Sequence, residues 1–247
     1  MNNWLQKWKQ LLGIVLFALF LGEFLFLVMD NPVIFPSPWM VLAAMKEQLQ
    51  TTIFYKSIFF TVTRVVFGIA MSFFFGAMLA FWRFFYPKTR IWLDYLILLL
   101  RSIPNITLMI LFLFWLGGEQ SLFLVIFLVL FPVVYQACAD ELETIQMRWK
   151  DVLEIYPQPR RYLLRQVYIP LLKPALGSAL ISITSLGFKV GVMAEILSQV
   201  RGGIGRNMQI AKLNVDLASL LAWTIWFLIV VAVCEWIIKK TIATIMK

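Results

Sequence analysis

The run at 174–197 reads PALGSALISITSLGFKVGVMAEIL. At about 100° per residue, its Ser178, Ser182, Ser185 and Lys189 fall within a sector of roughly 60° on a helix. Three hydroxyls and one ammonium offer hydrogen bonds and positive charge to a passing solute. Without a base beside them the serines are no nucleophilic centre. Charge at mid-membrane costs at least ~2.5 kcal/mol, so the face is expected to turn inward and line a path for an anionic or polar solute, with Lys189 attracting it. A plainer reading stands beside this one: the serines bond back to their own helix carbonyls and Lys189 pairs with a neighbouring helix. Glu195 lies some 120° around from Lys189 and reads as a structural or gating residue near the far end of the run.

Nothing else in the apolar runs suggests bond-making chemistry. Histidine is absent, and there is no paired-carboxylate, metal-ligand or triad arrangement, so catalytic residues, metal and cofactor are all expected to be none. The chain also lacks a G-x-x-x-x-G-K-[ST] phosphate loop, so it does not itself bind and hydrolyse ATP. The two cysteines, Cys138 and Cys234, are placed at helix ends on the reducing side, which argues against a disulfide framework.

The elements that must hold such a stripe are membrane helices. The 247-residue chain is 62% hydrophobic, and a span needs about 20 mostly apolar residues to cross roughly 30 Å of hydrocarbon. Six candidates emerge, at 11–29, 57–82, 102–117, 121–138, 174–197 and 218–238, giving an all-α, polytopic membrane protein with a single domain over 1–247. The first run is too long for a signal-peptide core and is expected to stay as helix one. The net charge of +9 reads as topology. Segments 1–10, 83–90, 139–173 and 239–247 hold fourteen Lys and Arg against five in the opposite connections, which puts both termini and the 139–173 loop in the cytoplasm.

Between the spans, 30–38 (DNPVIFPSP) reads as an external loop that Pro36 and Pro38 keep out of regular helix. In the second span Gly68, Ser72, Gly76 and Ala80 recur every four residues, a ridge that lets helices approach closely in lipid. Residues 91–100 are half a span long and read as an interfacial lead-in. Arg101 is then at the headgroup boundary, structural or gating in role, with Pro104 breaking the chain beyond it. GGEQS at 117–121 reads as a tight hairpin loop and 200–216 as a second external excursion. Lys189 is the one charge read as firmly buried, and no internal repeat is found. Both facts disfavour a secondary carrier or channel working without ATP, which stays as the alternative reading. A membrane enzyme ranks below both.

The stretch at 151–170, DVLEIYPQPRRYLLRQVYIP, is the charged exception among apolar runs. It has the spacing E-A-A-x3-G-x9-I-x-L-P: Asp151 falls on the Glu, Val167 on the Ile, Ile169 on the Leu and Pro170 on the Pro. Val152 and Leu153 replace the alanines and Pro157 the glycine. FPSP at 35–38, SIFFTVTRVVFGIAMSFFFGAMLA, LRSIPNITLMILFLFWLGGEQS, FPVVYQACADELETI and VMAEILSQVRGGIG follow in the order and spacing of one family. Over roughly 33–240 the chain resembles the membrane permease subunits of bacterial ABC importers, the binding-protein-dependent inner-membrane components of the nitrate, sulfonate, taurine and bicarbonate branch.

The resemblance implies a type I importer permease fold in the bacterial cytoplasmic membrane. It implies a second permease subunit, same or homologous, a cytoplasmic ABC ATPase dimer and an extracytoplasmic solute-binding protein, with no nucleic acid. It also implies that Asp151, Glu154, Pro157, Gln158, Pro159, Arg160, Arg161 and Arg165 form the coupling segment that docks on the ATPase. Pro157 and Pro159 would stiffen that segment, and the arginines would face the partner. Ala194-Glu195 and Gly202-Gly203-Ile204-Gly205 sit where the family carries an Ala-Glu dipeptide and a glycine loop. Phe188 stands where relatives often carry tryptophan.

Overall fold

The computed structural model describes residues 2–29, 31, 33–198 and 200–245, without the side chains of 2–12, 14, 15, 18 and 245. Asp30, Pro32 and Lys247 lie outside the described residues, as do the side chains of Lys7 and Lys9. Eleven helices follow one another among the described residues, and no strand occurs. These are α1 (Asn2–Met29), α2 (Pro38–Leu49), α3 (Thr52–Phe85), α4 (Arg90–Ser102), α5 (Asn105–Leu116), α6 (Gly118–Arg148), α7 (Lys150–Ile155), α8 (Arg160–Leu163), α9 (Ile169–Ser198), α10 (Ile204–Leu213) and α11 (Leu217–Ile245).

Four stretches are long and apolar enough to cross a bilayer: α3, α6, Arg160–Ser198 and Leu217–Thr244. The crossing expected at 102–117 is a broken pair instead. α4 and α5 meet at 91°, so the lead-in expected at 91–100 is a full helix lying across the direction of its successor. Pro104 causes the break. It has no N–H to continue α4 and holds Ile103 extended, at φ −78° and ψ 127°.

Other boundaries also move. α6 starts at Gly118 and runs to Arg148, well beyond the expected 121–138, because a helix leaving lipid carries its backbone bonds with it. The expected hairpin loop at 117–121 shrinks to Gly117, whose φ of +79° suits a residue without Cβ. Pro38 does not exclude helix. It opens α2, where a missing N–H costs nothing, and Ser37 caps the end by accepting from Met40 N–H. The excursion at 200–216 contains α10, and most of 139–173 is helical.

The core is a layer of α3, α6 and α9. α3 turns its small-residue ridge onto α6: a Cβ at Gly68 would strike Ile126, and one at Gly76 would come within 2.9 Å of Val134. Ser72 Oγ donates to its own helix at Gly68 and reaches the Phe127 carbonyl of α6 at 3.2 Å. Gly191 of α9 approaches Val65 of α3 as closely, 2.6 Å from a built Cβ. Val65, Ile126, Leu130, Val134 and Ile183 fill the seam with no exposure. Dispersion and close approach hold such a contact, since lipid tails are as apolar as the seam itself. Outside it, Phe59, Phe74 and Phe114 are more than 60% exposed, a pattern that belongs in lipid and not in water.

Gly76→Leu should therefore force α3 off α6 and cost roughly 1–3 kcal/mol. It should lower the thermal unfolding midpoint of the purified protein in detergent. Gly13→Leu, where a Cβ would meet nothing within 4 Å among the described residues, should leave the midpoint where it is. Equal effects of the two substitutions would contradict the tight α3–α6 approach.

Candidate functional site

Two ionic clasps close the two ends of the helix layer, and a polar stripe runs between them on α9. At the first end, the Glu195 carboxylate is 1% exposed. It accepts hydrogen bonds from Arg64 Nη1, from the Thr61 hydroxyl and from the Gly205 backbone N–H, each at 2.9 Å. Thr61 and Arg64 lie three apart on α3, so both reach Glu195 from one helix face. Arg64 spends its other donors on Glu119 of α6, at 2.5 and 3.0 Å, and on the Gly202 carbonyl, at 2.5 Å. Its guanidinium also lies 5.3 Å from the centroid of Phe60. Glu119 occupies the first turn of α6, where the helix dipole favours an acid.

The glycine run beyond α9 belongs to the same object. A Cβ at Gly203, where φ is +130°, would strike the Glu195 carboxylate, and one at Gly205 would meet the Val192 carbonyl. Thr61 Oγ also accepts from the Ile204 N–H at 2.9 Å. Ala194-Glu195 and Gly202-Gly203-Ile204-Gly205 thus meet in one place: the acid docks the start of α10, and the glycines leave room for the acid.

The buried charged side chains among the described residues are Arg64 and Glu195 here and Arg83 at the opposite end, and Lys189 is not one of them. Lys189 is exposed on the open face of α9, and the described residues offer it no salt bridge. Below it, Ser185 donates to Glu235 of α11, an acid that the sequence reading did not single out. Ser182 and Ser178 are exposed and bond back to the carbonyls of Ser178 and Ala175 at 3.1 and 2.9 Å. The stripe thus stays on one face, which α11 meets at Ser185 and this chain leaves open at Ser178, Ser182 and Lys189.

The second clasp was also missed. Arg83, near the last turn of α3, donates to both Asp94 oxygens at 2.8 and 3.0 Å and to Glu143 at 2.8 Å. Arg90 adds a contact to Glu143 at 2.8 Å, and the Tyr135 hydroxyl donates to Asp94 at 2.9 Å. It ties α3, α4 and α6 together at the basic end of the bundle. Only Arg90–Asp94, four apart on one helix, left a trace in the sequence. Arg101 lies beyond this knot, exposed on the last turn of α4 and in no ion pair among the described residues.

From the same end projects the segment expected to couple. α7 stops at Ile155, Pro157 and Pro159 bracket an extended corner, and Arg160 opens a helix that widens into a π turn at Leu164–Tyr168 before α9. Asp151, Glu154, Pro157, Gln158, Pro159, Arg160, Arg161 and Arg165 are all exposed. So are Ile155, Tyr156 and Tyr162, at 69%, 68% and 53%. Leu153 and Leu163 anchor the segment on the core.

Long apolar spans, clasps at both ends and a polar face between them define an all-α polytopic membrane permease. Residues 72–240 match the family model described as binding-protein-dependent transport system inner membrane component, and the chain belongs to that family, the permeases of ABC importers. Members of the family are transport components and not enzymes. Among curated proteins none matches the chain.

Removing the cation should be severe: Arg64→Met should cost about 3–5 kcal/mol, because Glu195 stays buried without a counter-charge. Glu195→Gln should cost less than that, because Arg64 keeps Glu119 as a partner, but more than loss of Glu119 itself. Glu119→Gln, at a carboxylate 48% exposed, should cost no more than about 1 kcal/mol. Denaturant titration of the three purified variants checks the order, and a Glu119 variant as unstable as the Glu195 one would contradict the assignment.

Proposed function

We propose that the chain is one permease subunit of an ATP-driven importer of the nitrate, sulfonate, taurine and bicarbonate branch in a bacterial inner membrane. A second permease subunit, identical or homologous, covers the open face of α9, so that Ser178, Ser182, Ser185 and Lys189 line the path between them. Polar side chains left facing lipid would be costly, which favours a covering partner. A solute-binding protein delivers an anionic or polar solute at the Glu195 end. Two cytoplasmic ATPase subunits grip residues 151–170 at the other.

The observation that carries this reading is the makeup of that gripped segment. Arg160, Arg161 and Arg165 stand exposed beside exposed Ile155, Tyr156 and Tyr162, on the end that the positive-inside bias assigns to the cytoplasm. Exposed aromatics with arginine are what a protein-binding surface uses, whereas a solvated basic loop has no need of the aromatics. The stretch Arg160–Ser198 is continuously helical over 39 residues, with one π turn near its start, and is about 58 Å long at 1.5 Å per residue. A push at Arg160 is therefore delivered to Lys189 and to the Glu195 clasp. ATP binding and hydrolysis in the partner would then switch the path between its two faces.

A photo-crosslinker at Gln158 should capture an ATPase subunit in native membranes. Arg160→Ala with Arg161→Ala should weaken that association about tenfold, the equivalent of ~1.4 kcal/mol. Capture of no nucleotide-hydrolysing partner, or solute uptake by this chain without ATP, would favour the carrier reading instead.

A further inference from the structure

An acid near the outer end of α1 has no partner among the described residues. Glu23 lies inside the apolar run 11–29, where an ionisable side chain is costly unless it is paired. Its Oε2 is buried and accepts no hydrogen bond, and none of the salt bridges among the described residues includes it. We propose that Glu23 and Trp39 hold the primary ammonium of a phospholipid headgroup from the outer leaflet, with an acyl chain of that lipid in the apolar cavity alongside.

The chain builds this place by folding back on itself. The loop after α1 returns the start of α2 against it, so that a Cβ at Gly22 would come within 3.1 Å of Pro38. Leu19, Glu23, Pro38, Trp39 and Leu42 then line a cavity of about 240 Å³, in which Glu23 is the only charged residue. Trp39 is 73% exposed at the first turn of α2, on the outer side, where tryptophan sits well at a headgroup boundary. A carboxylate beside an indole suits an ammonium: the oxygens accept its N–H bonds, and the ring face attracts its charge. A second cavity, of about 250 Å³, shares Leu19, Pro38 and Leu42 with the first and continues past Val41, Leu221 and Ile225. Its one hydroxyl, on Thr224, already donates to the Leu220 carbonyl at 2.9 Å, so the trough offers a hydrocarbon chain only apolar contact. Lys46 is exposed and lies four residues beyond Leu42 and seven beyond Trp39, on the same face of α2, where it offers the lipid phosphate a counter-charge. A soluble amine would leave the trough and Lys46 unused, which favours the lipid.

The test strips lipid from the purified permease complex in detergent. It then follows thermal unfolding with dioleoyl phosphatidylethanolamine, phosphatidylcholine or phosphatidylglycerol, or with free ethanolamine, at equal concentration. Phosphatidylethanolamine should raise the midpoint most, because its head alone among the three lipids combines positive charge with N–H donors. Glu23→Gln should weaken its apparent affinity about tenfold, and Trp39→Leu, at an exposed position, should weaken it severalfold. An equal shift from phosphatidylcholine or phosphatidylglycerol would overturn the ammonium assignment, and an equal shift from ethanolamine would overturn the lipid. A preference for phosphatidylethanolamine unchanged in both variants would overturn the site. So would zero-length carbodiimide coupling of Glu23 to a second permease subunit, which would give the acid a protein partner instead. None of these results bears on ATPase capture at Gln158, so the importer reading is judged separately.

Discussion

Glu195 carries its charge where water does not reach, and it is tolerable there because three donors from two other parts of the chain converge on it. An isolated carboxylate in that position would cost several kcal/mol, so the surroundings are constrained together. Arg64 and Thr61 must share a face of α3. The start of α10 must present its first amides. Gly203 and Gly205 must lack side chains, because a Cβ at the first would strike the carboxylate and one at the second would strike the Val192 carbonyl and the stem of Glu195. Satisfying one buried charge thereby sets how α3, α9 and α10 sit at this end of the bundle.

The opposite end solves a different problem. Arg83, Arg90, Asp94, Glu143 and the Tyr135 hydroxyl form a balanced knot of two cations and two acids, and it holds α4 across the feet of α3 and α6. Between the clasps, the α3–α6 seam has no ionic contact and relies on backbone proximity at Gly68 and Gly76. Charged contacts thus lie at the ends and van der Waals contact in the middle. Polar groups near the bilayer surfaces can exchange partners, while a mid-membrane charge has few to exchange with.

Several elements were legible before any coordinates. The ridge at Gly68, Ser72 and Gly76 announced a helix contact because small residues four apart have one obvious use in lipid, and Pro104 announced a break because it lacks a donor. The exposed corner at Pro157–Pro159 followed from the same rule. Other features were not legible. Arg64 carries no local signal of its role, since nothing near it in sequence says that its partners are 55 and 131 residues away. Glu235 was overlooked because its neighbour Ser185 lies on another helix. The expected loops at 117–121 and 200–216 were read as loops from polarity alone, and polarity does not distinguish a loop from the end of a helix that has left the lipid.

By itself, the order of residues determined that this is a helical protein of the bilayer, which end is basic, and that the chain breaks at Pro104. Those properties depend on composition and on neighbours within a turn or two. Only the tertiary structure decided which charges are buried, that Lys189 is exposed on the open face of α9, and that Glu195, Arg64 and the glycine run are a single assembly. Burial and pairing are properties of segments far apart in the chain, brought together by packing that no local pattern encodes.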